Sequence, residues 1–336
     1  MLPSAASGVS CKTQSQLTTA ERNVLSTAAR QIASRVQAGD AQSLRANTIP
    51  AVAADFGGIA STVEGLAPLV QRATITIDSL YSLDASAQPG APTQPAGART
   101  DFFCGQPVVA LNFIDLPPGT YALAILHATG VPKPQQISLV LSATPDHRWM
   151  LAGFFNKPMI VAGHDGLWYW QSARSYAQKN MKWNAWFYYR TAGSFLNPVD
   201  FLSSPNLEKL RHEEEGAHPD NLPGAKPLMI TALGSQFQIT AVDTTSVFGD
   251  LDLDVHYAPN PTQIAQLRDP PSARKQVTDA MTALLALHPE LLEAFHGIWI
   301  HADNGAASVF SLELPMGQIV TDKLPPASGS MSVPHS

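Results

Sequence analysis

Asp252, Asp254 and His256 alternate with Leu251, Leu253 and Val255. Successive side chains of a strand point to opposite faces, so on a strand these three metal-ligating types share one face. Trp299, His301 and Asp303 alternate in the same way with Ile298 and Ile300. If the two strands are neighbours with these faces aligned, two histidines and three carboxylates converge, a donor set for a divalent cation. Asp252, Asp254, His256 and His301 are therefore the candidate metal ligands. A competing account needs no metal and no cofactor: the same alternation marks the solvent side of a sheet covered on one face only, where Asp and His belong anyway.

Other polar groups offer less. His127 alternates in phase with Tyr121, Leu123 and Ile125, which aims it at whatever that strand face encloses. A pairing of Asp115 with His127 would supply a general acid–base couple there, and these two are the catalytic candidates. His212-Glu213-Glu214-Glu215 with His218 does not match a zinc-peptidase helix, because the position four after His212 is Gly216. Asp165, beside His164, reads as a helix cap. The chain contains no Gly-x-Ser-x-Gly elbow, Walker loop or dinucleotide fingerprint.

The aromatic stretch from Trp168 to Pro198 is the third feature. Trp168, Trp170, Trp183, Trp186, Phe187 and Tyr188 exceed the needs of one two-helix interface, so the four tryptophans are a candidate binding surface. The alternative is that they cement a helical hairpin to its surroundings. Tyr169, Ala173 and Tyr176, then Ala185, Tyr189 and Ala192, resemble the tetratricopeptide pattern of small and aromatic residues over roughly 34 residues. Ser172 replaces its leucine and Pro198 comes one residue late. A single unit cannot form a stable array, so one helical hairpin is expected.

The elements that must position these groups follow from periodicity. Thr18 and Glu21 have capping-box spacing, and Leu25, Ala28, Ile32 and Val36 then fall on one helical face. Gly39 ends that helix, and shorter helical pieces run to about Leu69. Ile75, Ile77 and Leu80 mark a strand with one slip in phase, read as a bulge. Residues 84–100 read as a loop, followed by strand-like runs Phe102 to Asp115, Tyr121 to Ala128, Ile137 to Ala143 and Trp149 to Phe155. This order, with the Trp149-Met150-Leu151-Ala152-Gly153-Phe154 ending, resembles the cystatin-like or NTF2-like superfamily. The resemblance implies a curved antiparallel sheet around a helix, with a cavity that houses proton-transfer chemistry in some members. Beyond the hairpin, Leu228 to Leu233, Gln236 to Val242 and Leu251 to Tyr257 read as an antiparallel meander. Asp269 and Pro270 open a helix with Val277, Met281, Leu284, Leu285 and His288 on one face. Ile298 to Ala302 and Val309 to Leu314 pair across Asn304-Gly305.

The expected fold class is thus α+β. It comprises a disordered segment at residues 1–16, a cystatin-like or NTF2-like domain at 17–165, and a helical hairpin with linker at 166–226. A C-terminal antiparallel sheet with one covering helix follows at 227–322, then a disordered tail at 323–336. With 336 residues, 45% of them hydrophobic, the chain can bury more than one core. A formal charge of -6 with 14% charged residues gives no basic field for nucleic acid. No apolar run approaches the ~20 residues that span a bilayer. Of two cysteines, Cys11 follows Val9-Ser10, and Val-Ser-Cys resembles the end of a bacterial lipoprotein signal, which implies lipidation at Cys11. Gly8 stands where such signals carry leucine. The expected protein is a non-catalytic binding or assembly factor of the cell envelope, or secreted, with a lipid anchor its sole link to a membrane; the sequence leaves the cytoplasm open. Its partner is a protein, peptide or small-molecule ligand. The alternative function is a small-molecule enzyme or ligand carrier working in the first domain's cavity.

Overall fold

The computed structural model describes residues 9–88, 96–232 and 234–321. It is an α+β structure, in which the first half begins with strand β1 (Ser10–Thr13) and helices α1 (Thr19–Ala38), α2 (Ala41–Ala46), α3 (Pro50–Ala53) and α4 (Gly57–Val70). Strands β2 (Thr74–Asp84), β3 (Arg99–Cys104), β4 (Val109–Ile114), β5 (Thr120–Thr129), β6 (Gln135–Ala143) and β7 (Trp149–Pro158) follow. Short strands β8 (Ile160–Val161) and β9 (His164–Asp165) lead to α5 (Gly166–Gln178) and α6 (Lys182–Leu196), then β10 (Leu202–Ser203) and α7 (Pro205–Gly216). The remainder is β11 (Leu228–Ala232), β12 (Ser235–Thr245), β13 (Asp252–Ala258), α8 (Pro261–Gln266), α9 (Pro270–Leu287), α10 (Leu291–Ala294), β14 (Gly297–Asn304), β15 (Ala307–Pro315) and α11 (Met316–Thr321). None of the described helices is long and apolar enough to cross a membrane.

The chain divides into two compact units, Met1–Ile160 with Gly193–Arg211, and Val161–Ala192 with His212–Ser336. The first is built on a five-stranded antiparallel sheet ordered β1-β2-β5-β6-β7. Helices α1 and α4 cover one face: Leu25, Ile32, Val36, Val63 and Leu66 form one core with Leu80, Leu126, Leu139 and Leu141. Ala122, Ala124 and Ala128, fully buried in β5, belong to the same core and let helix and sheet approach closely. The phase slip expected in β2 is a bulge between Ile77 and Ser79. It is why Ile77 and Leu80 face the helical side while Leu83 belongs to the opposite face.

That opposite face is where expectation and structure part. The run Phe102 to Asp115 is not one strand but a hairpin, β3 and β4, which Gly105 turns at φ 71°. With β10 it makes a three-stranded sheet, and Phe102, Leu111 and Leu202 pack in one core with Leu123, Ile125 and Val140. The main sheet is therefore filled on both sides. Residues 10–13, expected within a disordered tail, pair with β2 in register Cys11↔Leu83; an unpaired β2 edge supplies the hydrogen bonds that order them. The expected tail at 323–336 and residues 89–95 of the expected 84–100 loop lie outside the described residues, while β2 and β3 take up the ends of that loop.

The second unit holds a five-stranded sheet ordered β11-β12-β13-β14-β15. The expected sheet was wholly antiparallel. Instead β13 and β14 pair in parallel, Val255↔Ile300 and His256↔His301, because the chain between them runs through α8, α9 and α10 and so returns to the end at which β13 began. Fully buried Leu253, Val255, Tyr257, Ile298, Ile300 and Ala302 form the apolar face, and Gln276 of α9 donates to the Tyr257 hydroxyl at 2.8 Å. The α9 start is as read, with Ser272 N donating to Asp269 Oδ2 at 3.1 Å.

Candidate metal centre

The polar face of the second sheet brings Asp254, His256 and His301 together. Alternation puts Asp254 and His256 on one face of β13, and the parallel register sets His301 of β14 beside His256. The two imidazoles stack with centroids 4.6 Å apart at 14°. Their Nε2 atoms lie 3.4 Å (His256) and 3.2 Å (His301) from Asp254 Oδ1. This buried oxygen accepts no other hydrogen bond among the described residues.

The other ring nitrogens are occupied. His256 Nδ1 donates to Asp303 Oδ2 at 2.7 Å, and Ser308 Oγ donates to Asp303 Oδ1 at 2.6 Å. His301 Nδ1 and Ser311 Oγ share a hydrogen bond at 2.8 Å. The Asp303 carboxylate holds the His256 proton on Nδ1 and so turns its Nε2 lone pair toward Asp254, the way histidine ligands are oriented in metal sites; His301 Nε2 faces the same carboxylate. Burial pushes the His301 imidazole below its ordinary pKa despite the opposing pull of Asp254, with neighbouring His256 lowering it further. A neutral imidazole is the ligand form. Trp299 lies against His301 with centroids 4.3 Å apart, and Phe248 lies edge-on to Trp299 at 5.3 Å, giving the site an apolar wall.

The separations fit a small cation. Tetrahedral zinc holds nitrogen and oxygen ligands at about 2.0–2.1 Å, which places ligand atoms about 3.3 Å apart. The observed 3.2 and 3.4 Å match this. Asp254, at 25% side-chain exposure, leaves a side open to solvent for a fourth ligand.

The remaining candidates are placed elsewhere. Asp252 does not join the other three; it is fully buried, and its Oδ1 accepts from His296 Nδ1 at 3.1 Å. Asp115 does not pair with His127. Its Oδ1 accepts from Gly97 N and Ala98 N at 2.7 and 3.1 Å, while His127 sits 4.0 Å from Asp78. The strand face His127 shares packs into the core around Leu123 and Ile125.

Trp170 and Trp183 are buried and satisfied, not a surface: their indole N–H groups donate to Glu213 Oε2 at 2.7 Å and Asn221 Oδ1 at 2.9 Å. Trp186 is half-buried against His218, centroids 4.5 Å apart. Trp168, at 38% exposure and stacked on His164 at 3.6 Å, is the most exposed of the four. Asp165 caps α5, accepting from Trp168 N at 2.8 Å. Cys11 is bonded to Cys104; a sulfur in a disulfide cannot also carry a lipid thioether.

Ser311, Glu313 and His296 escaped the sequence reading. Ser311 and Glu313 alternate with Phe310, Leu312 and Leu314, a signal that was present. His296 precedes β14 and carries no periodic signal. No protein-family model, curated protein or solved structure matches this chain.

Proposed function

We propose that the chain is a metal-binding protein of the cell envelope or the secreted space, acting in binding or assembly rather than catalysis. Its second unit would hold a zinc-like cation through Asp254, His256 and His301. The observation that carries this reading is the pair of imidazole nitrogens 3.4 and 3.2 Å from one carboxylate oxygen, all three ligand atoms within 4.8 Å of one another, with both outward ring nitrogens hydrogen-bonded to support. Two imidazoles and one carboxylate suit zinc or iron better than calcium or magnesium.

The Cys11–Cys104 disulfide supports the location, since structural disulfides persist in oxidising compartments. It replaces the lipid anchor as the reading of Cys11. The helix-then-meander order of the first unit supports the cystatin-like or NTF2-like kinship, in a version packed on both faces. Exposed Leu167 and Trp168 are the part of the hairpin that a protein or small-molecule partner can reach.

The test is competitive zinc titration of chelator-treated protein. Its tightest zinc equivalent should weaken in His301→Ala and Asp254→Asn by more than the roughly 10–100-fold that losing a supporting partner costs. Equal affinity in wild type and both variants would sink the reading.

A further inference from the structure

Two residues along β13 from Asp254, on the same sheet face, begins a second group of donors that the first centre does not use. Asp252 opens β13, His296 immediately precedes β14, and Glu313 lies on β15 opposite Trp299 in the antiparallel register. One ligand atom from each lies within 4.8 Å of the others. His296 Nδ1 bonds Asp252 Oδ1 at 3.1 Å.

Two observations distinguish the group from an ordinary acidic cluster. Asp252 is fully buried, yet its Oδ2 has no hydrogen-bond partner among the described residues, and neither has the buried Oε1 of Glu313. A buried ionised carboxylate oxygen with no donor is strongly disfavoured, so such a group is protonated, paired or given a metal. The second observation is Gly297, where an added Cβ would lie 2.8 Å from Glu313 Oε1, 3.0 Å from Asp252 Oδ1 and 2.7 Å from Leu314 O. The two carboxylates therefore converge on one point above a glycine whose missing side chain makes room for them.

We propose that Asp252, His296 and Glu313 form a second divalent-cation site, separate from the Asp254, His256 and His301 centre. Two carboxylates and one imidazole are a harder donor set than two imidazoles and one carboxylate, so this site favours Mn²⁺ where the other favours zinc. Two negative charges and a neutral imidazole balance one divalent ion. The proposal does not depend on the first centre, because the two sites share no ligand.

The experiment uses the full chain carrying His301→Ala, which removes the first centre, stripped with chelator and titrated with MnCl₂ while free Mn²⁺ is followed by its electron paramagnetic resonance signal. One equivalent of Mn²⁺ should bind, and adding Glu313→Gln or His296→Ala should weaken it at least tenfold. His296 is half-exposed and Glu313 partly so, which makes these variants safer for folding than any change at buried Asp252. Circular dichroism confirms that each remains folded. Failure of folded His301→Ala protein to bind Mn²⁺ at millimolar concentration would overturn the proposal. So would binding that Glu313→Gln and His296→Ala leave intact. Loss of zinc binding in His301→Ala with Mn²⁺ binding retained would separate the two centres.

Discussion

At the scale of single residues, the proposed metal centre depends on groups that would touch no metal. Asp303 accepts from His256 Nδ1 and is itself held by Ser308, which fixes both the tilt of the imidazole and the nitrogen that keeps its proton. Asp303→Asn keeps the volume but loses the charge that favours the Nδ1 proton. Zinc affinity should fall about 10–100-fold, with the apo protein's unfolding midpoint nearly unchanged; competition titration and a denaturant curve on one preparation measure both. Unaltered affinity would mean that His256 needs no such support. Period-two alternation made Asp254, His256 and His301 legible from sequence, because facing is a local property of a strand. It could not separate Asp252 from them, since that depends on where His296 and Glu313 arrive. Burial was equally hidden: Trp170 and Trp183 look like surface aromatics until Glu213 and Asn221 are seen to receive their N–H groups.

Among the elements, α1 shows how much one local motif can specify. Thr18 Oγ1 accepts from Glu21 N at 3.2 Å, and Thr18 N donates to Glu21 Oε2 at 2.7 Å. The Thr18 backbone N–H, followed by Lys12, lowers the Glu21 pKa from 4.5 to about 2. A carboxylate whose pKa is depressed on folding stabilises the native state above its unfolded pKa, and the contribution disappears as pH falls through the folded value. Glu21→Gln should therefore cost most at neutral pH and nothing near pH 2, so thermal melts from about pH 5 to 2 should show a shallower acid slope than wild type. Thr18→Ala should cost about 1 kcal/mol at neutral pH. Such a motif reads directly from sequence because its partners are three residues apart. Strand pairing does not: the β3–β4 hairpin looked like one strand because apolar runs flank the short Gly105-Gln106-Pro107 break. The parallel β13–β14 pair was missed because alternation says nothing about which strand lies alongside.

For the molecule as a whole, the disulfide is the long-range constraint. Cys11 on edge strand β1 and Cys104 at the end of β3 are separated by 93 residues with Cα atoms 5.1 Å apart, and the bond ties the main sheet of the first unit to its smaller one. Closing so long a loop in the unfolded chain is worth about 2–5 kcal/mol. Cys104→Ser, or reduction of wild type with dithiothreitol, should lower the urea midpoint of the first unit accordingly, and equal midpoints would show that packing around β3 suffices alone. The α+β class and most helix positions were readable because they are sums of local signals; the disulfide and the double-sided packing were not, because both join residues far apart in the chain. The parallel pairing of β13 with β14 also has a temporal side. During synthesis at roughly 5–20 residues per second, Asp254 and His256 emerge seconds before His301 exists. A partial chain therefore offers only part of the proposed coordination shell, and a cation bound there would reward completion of the unit without seeding it.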